Sequence, residues 1–132
     1  MANSYFWGVQ SRMREVKMVH GKVAIGATGA PTLDTAASLG IASIVRDNTG
    51  LYTVTLAQKF PYFLNAHIML LDDNISQNVG FQLISEDVDG AKEIKFRCVA
   101  ATNSSTTTLV ATELPDGCTL YITLLLQNTS VR

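Results

Sequence analysis

The sequence predicts an all-β chain, a single antiparallel β-sandwich or jelly-roll-like barrel of about seven to nine strands with little helix. Three observations predict it. Segments in which apolar and polar residues alternate recur every ~8–12 residues, clusters of Gly, Asp, Asn and Pro separate them, and no stretch carries the period of an amphipathic helix. The 132 residues suit one domain, residues 1–132, large enough to bury a core. Residues 1–14 read as an N-terminal arm on that domain.

The arm sets Tyr5, Phe6 and Trp7 beside Gly8 and follows them with Arg12 and Arg14. An aromatic cluster this close to a terminus either docks into its own core or anchors on a partner. From Glu15 the pattern becomes strand-like, with Val16 and Met18 alternating against Lys17, and Val23 and Ile25 continuing it after His20 and Gly21. Residues 26–32 (GATGAPT) read as a loop, and 35–39 are too few for a helix. Residues 41–57 read as a hairpin. Ile41, Ser43 and Val45 alternate with Ala42, Ile44 and Arg46. Asp47-Asn48-Thr49-Gly50 then turns the chain, because Asp and Asn fold onto their own backbone and Gly takes positive φ cheaply. The return strand sends Tyr52, Val54 and Leu56 to the core and Thr53 and Thr55 away from it.

Pro61 belongs at a strand start or sheet edge, where its missing N–H is not needed. Tyr62–Leu71 is almost wholly apolar and reads as a strand buried on both faces. Asp72-Asp73-Asn74 turns the chain. Strands are expected at 79–85, with Phe81 and Leu83 inward, and at 93–99, with Ile94, Phe96 and Cys98 inward, around the turn Asp87-Val-Asp-Gly90. Residues 104–108 are polar and lead into a strand at 109–111. Leu114-Pro-Asp-Gly117 is another turn, and 119–126 the last strong strand.

Only 16% of the residues are charged while 47% are hydrophobic, against ~25% charged in a typical soluble domain. So few charges imply either a very β-rich chain or surface hidden against partners. The formal net charge of −1 argues against nucleic acid as a partner. The distribution is uneven: Arg12, Arg14, Lys17 and Lys22 near the start, Asp72, Asp73, Glu86, Asp87 and Asp89 later. These are two solvated faces or two patches that meet across subunits. Cys98 and Cys118 both sit in apolar β-like runs, as free buried thiols or as a disulfide between neighbouring strands. Neither a secretory leader nor a membrane-length apolar run is legible, so expression in a cytoplasm is the expectation.

Chemistry is scarce. His67 lies inside an apolar run and His20 at a strand end, and HExxH, GxSxG and HxH are all absent. His20-Gly-Lys22 is followed by Val23, where a phosphate loop needs Ser or Thr. The acid pairs Asp72/Asp73 and Asp87/Asp89 sit at turn signals, where Asp is favoured for backbone reasons. That placement argues against a glycosidase pair, and a calcium site at Asp72-Asp73-Asn74 lacks the defined ligand spacing of a known loop. Lys95 and Arg97 alternate with Ile94 and Phe96 as on any half-exposed strand. The expectation is no enzyme, with no catalytic, cofactor-binding or metal-binding residues and no cofactor.

The run Thr49-Gly50-Leu51-Tyr52-Thr53-Val54-Thr55-Leu56, then Phe60-Pro61 and the apolar stretch to Leu71, resembles the wording of small structural proteins of tailed bacteriophages. The turn Leu114-Pro-Asp-Gly117, the alternating strand after it and the tail from Leu126 to Val131 resemble that family's closing segment. The likeness spans residues 40–131. It implies a viral structural protein, a capsid decoration (cement) protein on the outside of the assembled head, made in the host bacterial cytoplasm and resident in the virion. It implies the major capsid protein and further copies of itself, as a homotrimer, for partners, with no nucleic acid or membrane. Tyr5, Phe6, Trp7, Arg12, Arg14 and Lys17 are the residues expected to hold the capsid or subunit interface, since aromatic and Arg side chains are favoured anchors. The alternative is a head-fibre, tail-fibre or receptor-binding module that recognises a host surface glycan.

Overall fold

The computed structural model describes residues 16–73, 80–101 and 109–128. Their nine strands are β1 (Val16–Ile25), β2 (Pro31–Leu33), β3 (Ile41–Asn48), β4 (Leu51–Leu56), β5 (Tyr62–Leu71), β6 (Gly80–Asp87), β7 (Glu93–Ala101), β8 (Leu109–Ala111) and β9 (Thr119–Gln127). One sheet runs β2-β1-β9-β5. The other runs β3-β4-β7-β6, with β8 also paired to β7. Every pairing is antiparallel. The two sheets make a β-sandwich, as the alternation predicts.

The core lies between them. β9 contributes Leu120, Ile122, Leu124 and Leu126, β1 contributes Val19, Val23 and Ile25, and the facing sheet contributes Tyr52, Val54, Leu56, Ile94, Phe96 and Cys98. Tyr52 stacks on Phe96 with ring centroids 5.5 Å apart, and Phe81 meets Phe96 edge-on at 6.1 Å. Such offset and edge contacts add to the area that aromatics bury. Cys98 and Cys118 are both free and both buried.

The 41–57 hairpin forms where its turn chemistry places it, with corrections in detail. Register shifts between Ile41 and Ser43 and between Arg46 and Asn48 break the simple alternation. Ile41 and Ile44 are both buried while Val45 is half-exposed, because a bulge adds one residue and flips the side chains beyond it to the other face. Thr53 lies on the outer face as expected, between Val45 and Lys95, but is buried there, its hydroxyl donating to the Asp47 carboxylate. The loop read at 26–32 contains a single 3₁₀ turn, Ala27–Gly29, and the start of the short edge strand β2. Pro31 fits there because an edge strand has N–H positions that no ladder needs.

The larger correction is β5. Apolar residues on both faces predict a strand buried on both faces, yet β5 pairs with β9 alone among the described residues. It is a sheet edge. Alternate side chains, Ala66, Ile68 and Leu70, pack on the core, while Met69 and Leu71 on the outer face are 56% and 59% exposed.

The two long sides of the sandwich differ. On one side the chain passing from β2 to β3 closes the gap. Asp34 N–H donates to the Lys22 carbonyl at 2.9 Å, and His20 and Leu39 exchange backbone bonds of 3.1 and 2.8 Å. On the other side β5 and β6 end their sheets, and among the described residues no ladder joins them.

Candidate functional site

Two places on the molecule gather side chains beyond what the strand ladders require. The first is a polar latch at the β3–β4 turn. Arg46 comes from the end of β3 and Glu113 from the segment between β8 and β9. Arg46 Nε donates to Glu113 Oε1 at 3.1 Å, and its Nη2 pairs with Oε2 in a two-pronged contact. Glu113 Oε1 also accepts from Gly50 N–H at 3.0 Å. Beside it, the buried Tyr52 hydroxyl donates to the Gly29 carbonyl at 2.8 Å. The Arg46 guanidinium holds the Glu113 carboxyl below the usual carboxylate range, helped by the Gly50 N–H, and Glu113 in turn raises Arg46. Burial, and next the Glu113 charge, push the Tyr52 phenol up to about 12. The latch ties one turn to two distant segments. Its acid is ion-paired and its phenol hydrogen-bonded, so each polar group of the latch has a partner within the fold.

The second place is the open side. Ala66, His67 and Ile68 of β5 and Phe81 and Leu83 of β6 line a groove of about 340 Å³. A register shift between Leu83 and Ser85 kinks β6 there and leaves Leu83 and Ile84 each 42% exposed. The expectation that Phe81 and Leu83 both point inward therefore holds only for Phe81, which packs against the core. Next to the groove, the outer face of the β1-β9-β5 sheet has few charges. Its rows read Met18–Leu125–Asn65, His20–Thr123–His67 and Lys22–Tyr121–Met69. The two histidines share one row, separated by a strand. With neighbouring strands ~4.8 Å apart, their backbones stand about 10 Å from each other.

Of the residues expected at an interface, Tyr5, Phe6, Trp7, Arg12 and Arg14 lie outside the described residues, as does the rest of the 1–14 arm. Lys17 is exposed at the start of β1, opposite Leu126. The acids at 86–87 end β6, and the Asp87 carboxylate accepts from Gly90 N–H at 3.1 Å and Ala91 N–H at 3.0 Å. This is the turn-building role that the sequence suggests. Among the described residues no three of His, Cys, Asp and Glu stand together as metal ligands. Burial, with Cys118 next in weight, pushes the Cys98 thiol up to about 12, and burial likewise raises Cys118.

Sequence reasoning missed both places. A signal for the groove was present, since an uncharged ten-residue strand is as good an edge for a partner as it is a central strand. Nothing in the local sequence links Arg46 to Glu113, 67 residues away. No family model matches the chain, nor does any curated protein or solved structure.

Proposed function

We propose that the chain is a structural protein of a tailed-phage virion, a capsid decoration (cement) protein that binds the outside of the assembled head and stabilises it. The observation that carries this reading is the wording of residues 49–71 and 114–131, which resembles that family. The fold is compatible with it on physical grounds. A protein that works by covering other proteins needs apolar surface to bury, and Met69, Leu71, Leu83 and Ile84 supply it along one side of the sandwich. Its partners on this reading are the major capsid protein and other copies of the chain, and it is not an enzyme. The N-terminal arm, with Tyr5, Phe6, Trp7, Arg12 and Arg14 leading to Lys17, supplies the grip on the shell.

The test is co-sedimentation of the purified chain with heads of its phage that lack it. The full chain is expected to pellet with the heads, and a chain without residues 1–14 to stay in the supernatant. Full-length chain that does not bind such heads would overturn the decoration reading. Undiminished binding by the truncated chain would overturn the role of the arm alone.

A further inference from the structure

Among the described residues, β5 over 65–71 has no ladder partner on the side away from β9, which raises a question of its own, separate from the capsid. An edge strand offers a row of unpaired backbone N–H and C=O groups, and proteins usually defend it with charge, Pro, bulges or brevity. β6 is defended: it is kinked at the Leu83/Ser85 shift and ends in Glu86 and Asp87. β5 is not. It is ten residues long, YFLNAHIMLL, without Lys, Arg, Asp, Glu or Pro. Its one register shift falls between Phe63 and Asn65, so residues 65–71 run in unbroken register.

We propose that β5 pairs antiparallel with β5 of a second copy, joining two four-stranded sheets into one eight-stranded sheet about a two-fold axis. The occupant is argued from charge and register. A strand laid against its own copy meets no like charge when it carries no charge, so the usual obstacle to self-pairing is absent. In a continuous sheet opposite residues must share a face, which a two-fold through Ile68 satisfies. Ile68 then faces its own mate and Ala66 faces Leu70 on the core side, while His67 faces Met69 and Asn65 faces Leu71 on the outer side. The outer pairs cover the exposed Met69 and Leu71. The same approach brings two grooves together, so that Phe81 and Leu83 of both copies close over them.

The size is adequate. A strand of this length is about 33 Å long, and the flank of a two-sheet sandwich with its side chains is about 20 Å deep. Each copy therefore covers roughly 660 Å², near the ~800 Å² per partner of a stable interface. The contact is two-fold and gives even-numbered assemblies, whereas the family likeness implies a trimer. It therefore stands or falls separately from the capsid reading.

Mass in solution tests it, by light scattering on the full chain at micromolar concentration. The expected result is twice the chain's 14.3 kDa. The double variant His67→Lys/Met69→Lys changes side chains already exposed in the single chain, so the fold is retained, as circular dichroism will verify. The lysine introduced at position 67 of each copy then stands directly opposite the one at position 69 of the other, on both sides of the two-fold. Like charges directly opposite destabilise a ladder, so association is expected to weaken by about tenfold. Ile68→Cys gives an independent reading, because opposite Cα atoms ~4.5–5.5 Å apart permit a disulfide. Oxidation should yield a covalent dimer while the buried Cys98 and Cys118 stay reduced. A monomeric or trimeric wild type would overturn the proposal. So would a dimer that tolerates both lysines, or the absence of an Ile68→Cys cross-link in a wild-type-like dimer.

Discussion

Gly50 and Gly117 form a matched pair that separates two physical effects. Both have positive φ, +68° and +88°. A Cβ at Gly117 would meet nothing within 4 Å. A Cβ at Gly50 would stand 2.7 Å from the Thr112 carbonyl oxygen and 2.9 Å from both the Cys98 carbonyl oxygen and Thr112 N. All three are backbone atoms, of β7 and of the residue just after β8, and cannot swing aside as a side chain tip can. Gly117→Ala should therefore cost only the left-handed backbone term, about 1–2 kcal/mol. Gly50→Ala incurs the same term and also forces the turn away from β7 and from the start of the β8–β9 connection. Two bonds are strained by that movement, Cys98 N–H to the Gly50 carbonyl at 2.8 Å and Thr112 N–H to the Cys98 carbonyl at 2.9 Å. At ~0.5–1.5 kcal/mol each, added to the backbone term, the total is about 2–5 kcal/mol. Urea unfolding followed by circular dichroism measures both, with the slope checked for constancy. Equal losses at the two glycines would refute the close packing of the β3–β4 turn, backbone against backbone, on β7 and the end of β8.

Glu113→Gln should lower stability at pH 7 by about 1 kcal/mol or less, because the pair with Arg46 is about 30% exposed on each side and such pairs are weak in water. The folded carboxyl titrates below its unfolded value of ~4.3, so its contribution is present above that pH and fades as pH falls through the folded value. Wild type and variant should therefore converge in acid, and a gap that widens below pH 4 would contradict the pairing. Both thiols should resist a water-soluble disulfide reagent at pH 8 in the native protein and react once urea unfolds it; prompt native labelling would contradict their burial. Because the Cys98 thiol is pushed up to about 12, its contribution is complete below the unfolded pKa of ~8.5 and is lost as pH rises toward the folded value. Unfolding midpoints followed from pH 8 to 11 should fall, and Cys98→Ala should flatten that fall.

Much of the fold was legible because its strands obey period two and its turns use residues with a backbone reason to be there. Tyr52, Val54, Leu56, Ile94 and Phe96 reach the core as the alternation requires, and Pro61 stands just before β5. The misreadings have physical causes. Bulges are single inserted residues that no periodicity reveals, and they put Ile41 and Ile44 inward together. A run such as Tyr62–Leu71 states that both faces avoid water without saying what covers them. A second sheet layer and a second molecule leave the same imprint on sequence. The Arg46–Glu113 latch depends on the path of β8 past the β3–β4 turn, a tertiary fact with no local mark. The expected arm residues before Val16 lie outside the described residues, so their part rests on the chemistry of aromatic and Arg anchors.

A chain that works as a coat on an assembled phage head must be found there, and cryo-electron microscopy of the virion decides whether it is. Density for the sandwich is expected at many equivalent positions on the outer surface of the head, in a copy number near that of the major capsid protein. Density confined to the tail or to a fibre tip, or the absence of the chain from purified virions, would contradict the decoration role.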